Sequence, residues 1–371
     1  MYPTIGVLNR GRGLLYRDAV AGSSTSYKKL NLIRPGVLVY SRLKAFEGAI
    51  TVTPDELPES FASQEFPTFA FASDADPDYF RILTTTQRMW DALQGASKGM
   101  GGRRERVKPT DFLNIVMDVP PLPLQRRIVE VIDVVDRQIA ALDEEAEALD
   151  QVSMAVAEDM LAEEETVALG TMLNDIRGGK SPQANNRPPG ADELGVLKVS
   201  AVTPFAFLPE ESKCLLPGTV MPKSALVQPG DVLITRANTP LRVGAVARVP
   251  ADVRDGLYLA DKTLRLVPTS ELDPDFLVVA MALKSARTHL TSSATGSSAS
   301  MVNVSQDRIR DTPIPAVYLG RQREVSSAVL SVRANTDAVR AEAARLRNAR
   351  SSLLSGLLDR TIEIESAELE V

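Results

Sequence analysis

Residues 128–160 read IVEVIDVVDRQIAALDEEAEALDQVSMAVAEDM, and residues 325–357 read VSSAVLSVRANTDAVRAEAARLRNARSSLLSGL. In the first stretch Ile128, Ile132, Val135, Ile139, Leu142, Ala146, Leu149, Ser153, Val156 and Met160 alternate steps of four and three. In the second, Val325, Val329, Val332, Thr336, Val339, Ala343, Leu346, Arg350, Leu353 and Leu357 do the same, each 197 residues after its counterpart. A 4–3 alternation is a 3.5-residue period, the mark of a helical seam that packs on another helix. Each seam covers 32 steps, about 48 Å at 1.5 Å per residue. A small domain does not hide a stripe of that length, so the two helices are expected to bury their stripes on each other. A compact segment lies between them in the chain, which makes an antiparallel pair easier to close than a parallel one. The expected fold is mixed α/β (α+β): two globular domains set apart by two long helices in an antiparallel coiled coil, with an internal pseudo-twofold repeat. The expected boundaries are 1–118, 119–166, 167–313 and 314–371.

Shorter matches extend the repeat beyond the helices. Arg34-Pro35-Gly36-Val37-Leu38-Val39-Tyr40-Ser41-Arg42 returns as Gln228-Pro229-Gly230-Asp231-Val232-Leu233-Ile234-Thr235-Arg236. Both read as a turn, a buried strand, and a basic residue where the strand emerges. Pro77-Asp78-Tyr79-Phe80 matches Pro274-Asp275-Phe276-Leu277, each opening a helix. Val119-Pro120-Pro121 and Ile314-Pro315-Ala316 each precede a Gln-Arg pair and a long helix. One stretch breaks the match. Gly6-Val7-Leu8 aligns with Gly195-Val196-Leu197, an offset of 189, which leaves the 23 residues Val167–Pro189 without a counterpart in the first domain. The tail Thr361–Glu365 alternates polar and apolar, and it is expected to pair as a strand with the first domain beside Gly6-Val7-Leu8.

Composition removes much of enzymology. The 371 residues hold one cysteine, Cys214, and one histidine, His289, too few for a disulfide, a cysteine or histidine metal site, or a paired-histidine mechanism. No apolar run nears the ~18 residues of a membrane span, and the start has no secretory pattern, so a cytoplasmic protein is expected. The net charge of −6 is uneven. Residues 119–166 hold 3 basic and 13 acidic residues, net −10, whereas 1–118 (15 and 13) and 167–313 (16 and 14) are each net +2. A whole-chain charge therefore says little against nucleic-acid binding by the globular parts. Nucleotide motifs fail: Gly179-Lys180-Ser181 resembles the end of a phosphate loop, but Asn174 stands where its first glycine belongs. No catalytic constellation emerges; His289 reads as a helix-surface or packed residue and Cys214 as a small apolar one.

What recurs in both globular segments is loops of glycine with polar donors. Arg10, Arg12, Arg42, Lys44, Lys98, Arg103 and Arg104 lie in such loops of the first; Lys180, Ser181, Arg236, Asn238, Ser297 and Asn303 lie in those of the second. Glycine lets main chain approach a ligand closely. Arg, Lys, Asn and Ser donate to phosphates and base edges. These thirteen residues are the candidate DNA contacts, with Arg103 and Arg104 expected to set part of the salt dependence.

The layout resembles the specificity subunit of type I restriction-modification systems over essentially the whole chain. The motifs that carry the resemblance are Tyr2–Gly13, Leu38–Gly48, Gly101–Val107, Pro120–Ile128 and Pro313–Pro315, in duplicated order. The resemblance implies two target-recognition domains, each reading half of a split double-stranded DNA site, with the helices as a ruler between them. It implies a non-catalytic subunit that recruits two modification (methyltransferase) subunits and restriction subunits in phage defence. It further implies no cofactor on this chain, with S-adenosylmethionine, ATP and Mg confined to the partners. A scaffold that holds proteins through its acidic helix is the alternative from another class.

Overall fold

The computed structural model describes residues 1–24, 27, 29–97, 106–298 and 301–362. They form a mixed α/β fold that divides into two compact units: unit 1 is Met1–Leu142 with Glu342–Val371, and unit 2 is Asp143–Ala341.

Unit 1 holds strands β1 (Tyr2–Val7), β2 (Leu14–Val20), β3 (Asn31–Ile33), β4 (Leu38–Tyr40), β5 (Ile50–Val52), β6 (Ser60–Ala62) and β7 (Thr68–Phe69). Helices α1 (Pro77–Leu83), α2 (Gln87–Ala96) and α3 (Pro109–Leu113) follow, and the long helix α4 (Leu122–Met160) begins in this unit. The strands make two sheets, β2-β1-β6-β3 and β5-β4-β7. Strand β4 is buried throughout, as the run Leu38-Val39-Tyr40 requires. Its core takes in Tyr79, Leu83 and Leu93 from α1 and α2, Ile128 and Ile132 from α4, and Leu354 and Leu357 from the last long helix. The start of α4 therefore packs where the end of that helix packs.

Unit 2 holds β8 (Thr166–Ala168), β9 (Leu173–Gly178), β10 (Ala184–Asn185), β11 (Gly195–Leu197), β12 (Val202–Thr203), β13 (Ala206–Phe207), β14 (Ser212–Leu215) and β15 (Val232–Thr235). It continues with β16 (Ala237–Asn238), β17 (Val246–Arg248), β18 (Leu257–Tyr258) and β19 (Thr263–Pro268). Then come α5 (Pro274–Ala282), α6 (Lys284–Ser292), β20 (Thr295–Ser298), β21 (Met301–Asn303), α7 (Gln306–Arg310), β22 (Pro313–Pro315) and the long helix α8 (Leu319–Leu358). Its two main sheets are β10-β14-β11-β18 and β17-β15-β19-β9. In unit 1, β1 lies between an antiparallel β2 and a parallel β6. In unit 2, β11 lies between an antiparallel β14 and a parallel β18. Strands β9 and β10 fall within Val167–Pro189, the segment with no counterpart near the chain start.

Gly6 and Val7 of β1 face Leu15 and Leu14 of β2, and Thr4 faces Phe61 of β6. The expected pairing of the tail beside Gly6-Val7-Leu8 rests on residues outside those described. Of the tail, residues beyond 362 lie outside those described.

All twenty seam positions of α4 and α8 are buried or half-buried. Off the seam, Val134 and Val152 are 59% and 49% exposed, so position and not apolarity decides what α4 hides. The two polar breaks have separate partners. Arg350 forks onto Asp136 in unit 1, with Nη2 2.8 Å from Oδ2. Ser153, in unit 2, donates its hydroxyl to Asp150 O at 2.7 Å. Asp150 in turn pairs with Arg333 at 3.2 Å and with Arg340.

Each unit anchors its long helix in the same way. Buried Gln125 donates through Nε2 to Asp74 O (3.0 Å) and Pro120 O (2.8 Å), and its Oε1 accepts from Asp76 N (2.8 Å). Buried Gln322 repeats this with Glu271 O (2.8 Å), Val317 O (2.7 Å) and Asp273 N (2.7 Å). Asp76 and Asp273 then cap α1 and α5, accepting from the second and third amides of each helix, with proline at its start. A glutamine suits this place because its amide carries two donors and an acceptor on one rigid plane.

Gln125→Ala strips three main-chain partners at once. It should destabilise unit 1 by about 1–3 kcal/mol, the usual cost of leaving buried polar groups unpaired. The single tryptophan, Trp90, lies in unit 1, so its fluorescence in a urea titration reads the change directly. An unmoved midpoint would mean that water replaces the amide without loss.

Candidate nucleic-acid interface

In unit 2 the candidate residues converge. A Cβ on Gly179 would lie 1.7 Å from Leu259 O, so only glycine lets this strand end run against residues 259–260. Gly179 N donates to Ala260 O at 3.1 Å. That contact sets exposed Lys180 and Ser181 beside Asp261. The Ser181 hydroxyl donates to the Asp261 carboxylate and accepts from Asp261 N at 3.2 Å. One residue on, Lys262 O accepts from Arg236 N at 3.0 Å. Arg236 follows β15 and leads into β16, whose Ala237 and Asn238 pair with Asn303 and Val302 of β21. Strand β20, which carries Ser297, completes the three-stranded ribbon β16-β21-β20. Thus Lys180, Ser181, Arg236, Asn238, Ser297 and Asn303 come from four separate segments onto one end of unit 2.

Two of these side chains already have partners. Ser181 is held by Asp261, and Asn238 Oδ1 accepts from Thr239 N at 2.8 Å, shaping the turn after β16. Lys180 and Asn303 are exposed and Arg236 half-exposed. Lys262 joins them, its Nζ 3.5 Å from Met301 Sδ on the ribbon. Nothing in the loop pattern marks Lys262, because it enters through strand pairing.

In unit 1 the same main-chain frame carries a different charge. Arg42 N donates to Glu65 O (2.9 Å) and Val107 N to Arg42 O (3.1 Å). These match Arg236 N to Lys262 O (3.0 Å) and Val304 N to Arg236 O (2.8 Å). Glu65 therefore stands where Lys262 stands. Its carboxylate is 3.9 Å from Arg42 Nη1 and 3.6 Å from Arg106 Nη1. Beneath the junction, buried Tyr40 donates to Val107 O at 3.1 Å, and burial pushes its hydroxyl up to about 12.

Arg10 and Arg12 sit on a second loop pair. Arg10 N donates to Glu47 O (3.2 Å) and Gly11 N to Gly48 O (3.1 Å). Gly11 has a φ of +62°, and a Cβ there would meet Thr84 O at 2.4 Å. The Arg10 guanidinium lies 5.8 Å above the Trp90 ring, and Trp90 Nε1 donates to Thr84 O at 2.8 Å. Arg12 turns back onto Asn9, and Lys44 pairs with Glu47 at 3.4 Å. Lys98, Arg103 and Arg104 lie outside the described residues.

His289 lies half-exposed on α6, and Cys214 is buried. His289 Nε2 donates to Arg308 O at 3.0 Å, tying α6 to α7. Cys214 is buried on β14, and burial raises its thiol pKa. Among the described residues no group of three or more His, Cys, Asp and Glu could hold a metal ion, and no helix is long and apolar enough to cross a membrane.

Comparison with known proteins returns the resemblance read from the sequence. The type I restriction enzyme EcoEI specificity subunit of Escherichia coli is 29% identical over 164 residues. That match covers 43% of this chain and 27% of the relative, so the chain spans about a quarter of that protein's length. A chain solved in work on complex assembly and conformational transition of the type I restriction-modification system aligns with a TM-score of 0.53 and 19% identity. The alignment covers 92% of this chain and 86% of that one, and the two share a fold. The type I S subunit from M. genitalium aligns with a TM-score of 0.47 at 14% identity, covering 96% and 88%. The HsdS subunit from Thermoanaerobacter tengcongensis aligns at 0.40 and 18%, covering 96% and 90%. No family model matches. The chain is thus similar in sequence, over part of its length, to a type I specificity subunit, and it shares a fold with a chain from a type I restriction-modification system.

Gly179→Ala tests whether close main-chain approach places Lys180 and Ser181. The added methyl has to displace Leu259 O, at a cost of about 1–3 kcal/mol in a packed setting. The amides of residues 179 and 261 should then exchange faster, since both bonds depend on that approach. Unchanged exchange at Asp261 would mean that Ser181 finds its partner without it.

Proposed function

We propose that the chain is a non-catalytic, sequence-specific DNA-recognition subunit of a type I restriction-modification system. The observation that carries this reading is the convergence of Lys180, Arg236, Asn238, Asn303 and Lys262 on one end of unit 2. Cations of this kind hold phosphates and set register, while arginine and asparagine also pair with base edges in the major groove. On this reading unit 1 and unit 2 are two target-recognition domains of an internal pseudo-twofold repeat. Each reads one half of a bipartite double-stranded DNA site. The paired stripes of α4 and α8 are a coiled coil that acts as a spacer between the halves.

The chemistry belongs to partners under this proposal. Two modification subunits would use S-adenosylmethionine to methylate adenine, and restriction subunits would use ATP and Mg. The complex would act in the cytoplasm, in defence against phage DNA. The exposed carboxylates Glu144, Glu145 and Glu147 of α4 support the second reading, a scaffold that docks proteins without reading DNA. The two differ in one respect: the scaffold leaves DNA affinity unchanged when the ribbon cations are removed.

Lys180→Ala, Arg236→Ala and Lys262→Ala therefore separate them, assayed by mobility shift with the modification subunits present. A residue that contacts phosphate should lower the slope of log affinity against log salt by about 0.9 when removed. A residue that reads a base should cost about 1–3 kcal/mol and relax preference at one position. Three variants with the parent's affinity and salt slope would favour the scaffold.

The spacer proposal has its own test. Four residues inserted after Leu142 lengthen α4 by about 6 Å, close to two base pairs at 3.4 Å each. Four residues form a stutter, which keeps the 3.5-residue seam roughly in phase. The unspecified gap in the recognised site should grow, read by sequencing the methylated positions in a host that carries the altered system. A fixed gap with a folded protein would overturn the spacer role.

A further inference from the structure

In unit 2 the strand leaving one long helix pairs with the strand entering the other. Strand β8 runs antiparallel to β22, with Val167 opposite Ile314 and Thr166 opposite Pro315. Two main-chain bonds extend the ladder: Leu169 N to Thr312 O and Ala316 N to Glu165 O, both 2.8 Å. Ile314 is fully buried, and Val167 packs against the same core.

Unit 1 has half of this arrangement. Counting back 197 residues from Pro313–Pro315 gives Val116, Met117 and Asp118, which precede α4 as β22 precedes α8. Met117 packs on the unit 1 core, whereas Val116 is 96% exposed. Among the described residues the amides of Val116, Met117 and Val119 have no main-chain partner. Beside Met117 runs an apolar groove of about 220 Å³, lined by Phe69, Phe71, Phe112 and Ile115. The chain leaving α8 comes to the same place. Arg360 pairs with Asp118 at 3.3 Å, and the amides of Thr361 and Ile362 turn back onto Gly356 O at 3.0 and 3.1 Å. The next residues by sequence are Glu363-Ile364-Glu365, and the 197-residue count sets Ile364 at the place of Val167.

We propose that the open edge Val116–Asp118 is the seat of the chain's own segment Glu363-Ile364-Glu365, added antiparallel with Ile364 opposite Met117. The register turns one apolar side chain toward the groove and two carboxylates toward water, as alternation in a half-covered strand demands. Glu363 then faces Asp118, a like-charge pair that would weaken the ladder alone; the Arg360 guanidinium, already on Asp118, offsets it. A tether of two residues from Arg360 gives the segment a local concentration in the millimolar range, which a second copy does not match at ordinary protein concentration.

Two measurements on the full chain test this. In the double variant Met117→Cys, Ile364→Cys, directly opposed residues with Cα atoms about 5.5 Å apart fall within disulfide reach. Mild oxidation should give a cross-linked monomer, at least tenfold faster than Met117→Cys with Ser366→Cys, which is two residues out of register. The remaining thiol, Cys214, is buried. In the unaltered protein the Met117 amide should exchange at least tenfold more slowly than in a chain ending at Ile362. This second arm needs no substitution, so it stands even where the cysteine variants fold poorly. A cross-linked dimer would assign the edge to a second copy. Equal rates in both registers, or exchange that ignores the truncation, would leave the edge without this occupant. Each of these outcomes overturns the proposal.

Discussion

A helix cannot bury its own stripe. The apolar residues of α4 and α8 recur every 3.5 positions, and a polar helix face turned to water does nothing to cover them. In unit 1 the stripe of α4 is covered by strand β4, helices α1 and α2, and the end of α8. In unit 2, Ala157 of α4 and Val325 and Val329 of α8 share a core with α5 and the sheet around β15. Each globular unit is thus built onto helix surface as well as onto itself. The ion pairs at Asp136–Arg350 and Asp150–Arg333 fix which residues meet where the seam turns polar.

The glutamine clamp carries that constraint outward. Gln125 and Gln322 each tie the first turn of a long helix to the loop that caps a short one. The cap aspartates Asp76 and Asp273 also meet Arg126 and Arg323, at 3.7 and 3.6 Å. Exposed ion pairs of this length add little alone. The buried amide sets the geometry, because its three partners are main-chain groups that no rotamer change can replace.

Much of this was legible in the sequence, and the reason is locality. The 4–3 alternation lies within each helix, and the Pro-Asp openings of α1 and α5 are caps made by neighbours in the chain. The Gln-Arg pair was visible as a recurrence, but its clamp was not, since Gln125 reaches main chain 51 residues away. The candidate contacts of unit 2 were legible by type, as Arg, Lys, Asn and Ser in glycine loops. Their assembly, and the entry of Lys262, required strand pairings between residues 181 and 261 and between 237 and 303. The parallel partner of β1 was hidden for the same reason. Strand β6 closes the edge of β1 in parallel from 57 residues on, and parallel crossovers leave no local pattern to read.

The contrast between Arg42 and Arg236 shows why conserved backbone need not mean equal chemistry. Two main-chain bonds hold each arginine in the same frame, yet one faces Glu65 and the other Lys262. At Arg42 the carboxylate draws Arg42 and Arg106 together and offsets part of their charge. At Arg236 the neighbouring lysine adds to it, with Asp261 one residue away committed to Ser181. Charges act over about 8–10 Å at physiological salt, so a polyanion approaching unit 2 responds to this cluster and not to the chain's net −6. Two exchanges on the shared frame, Gln64-Glu65 in unit 1 against Asp261-Lys262 in unit 2, give the two junctions different charge.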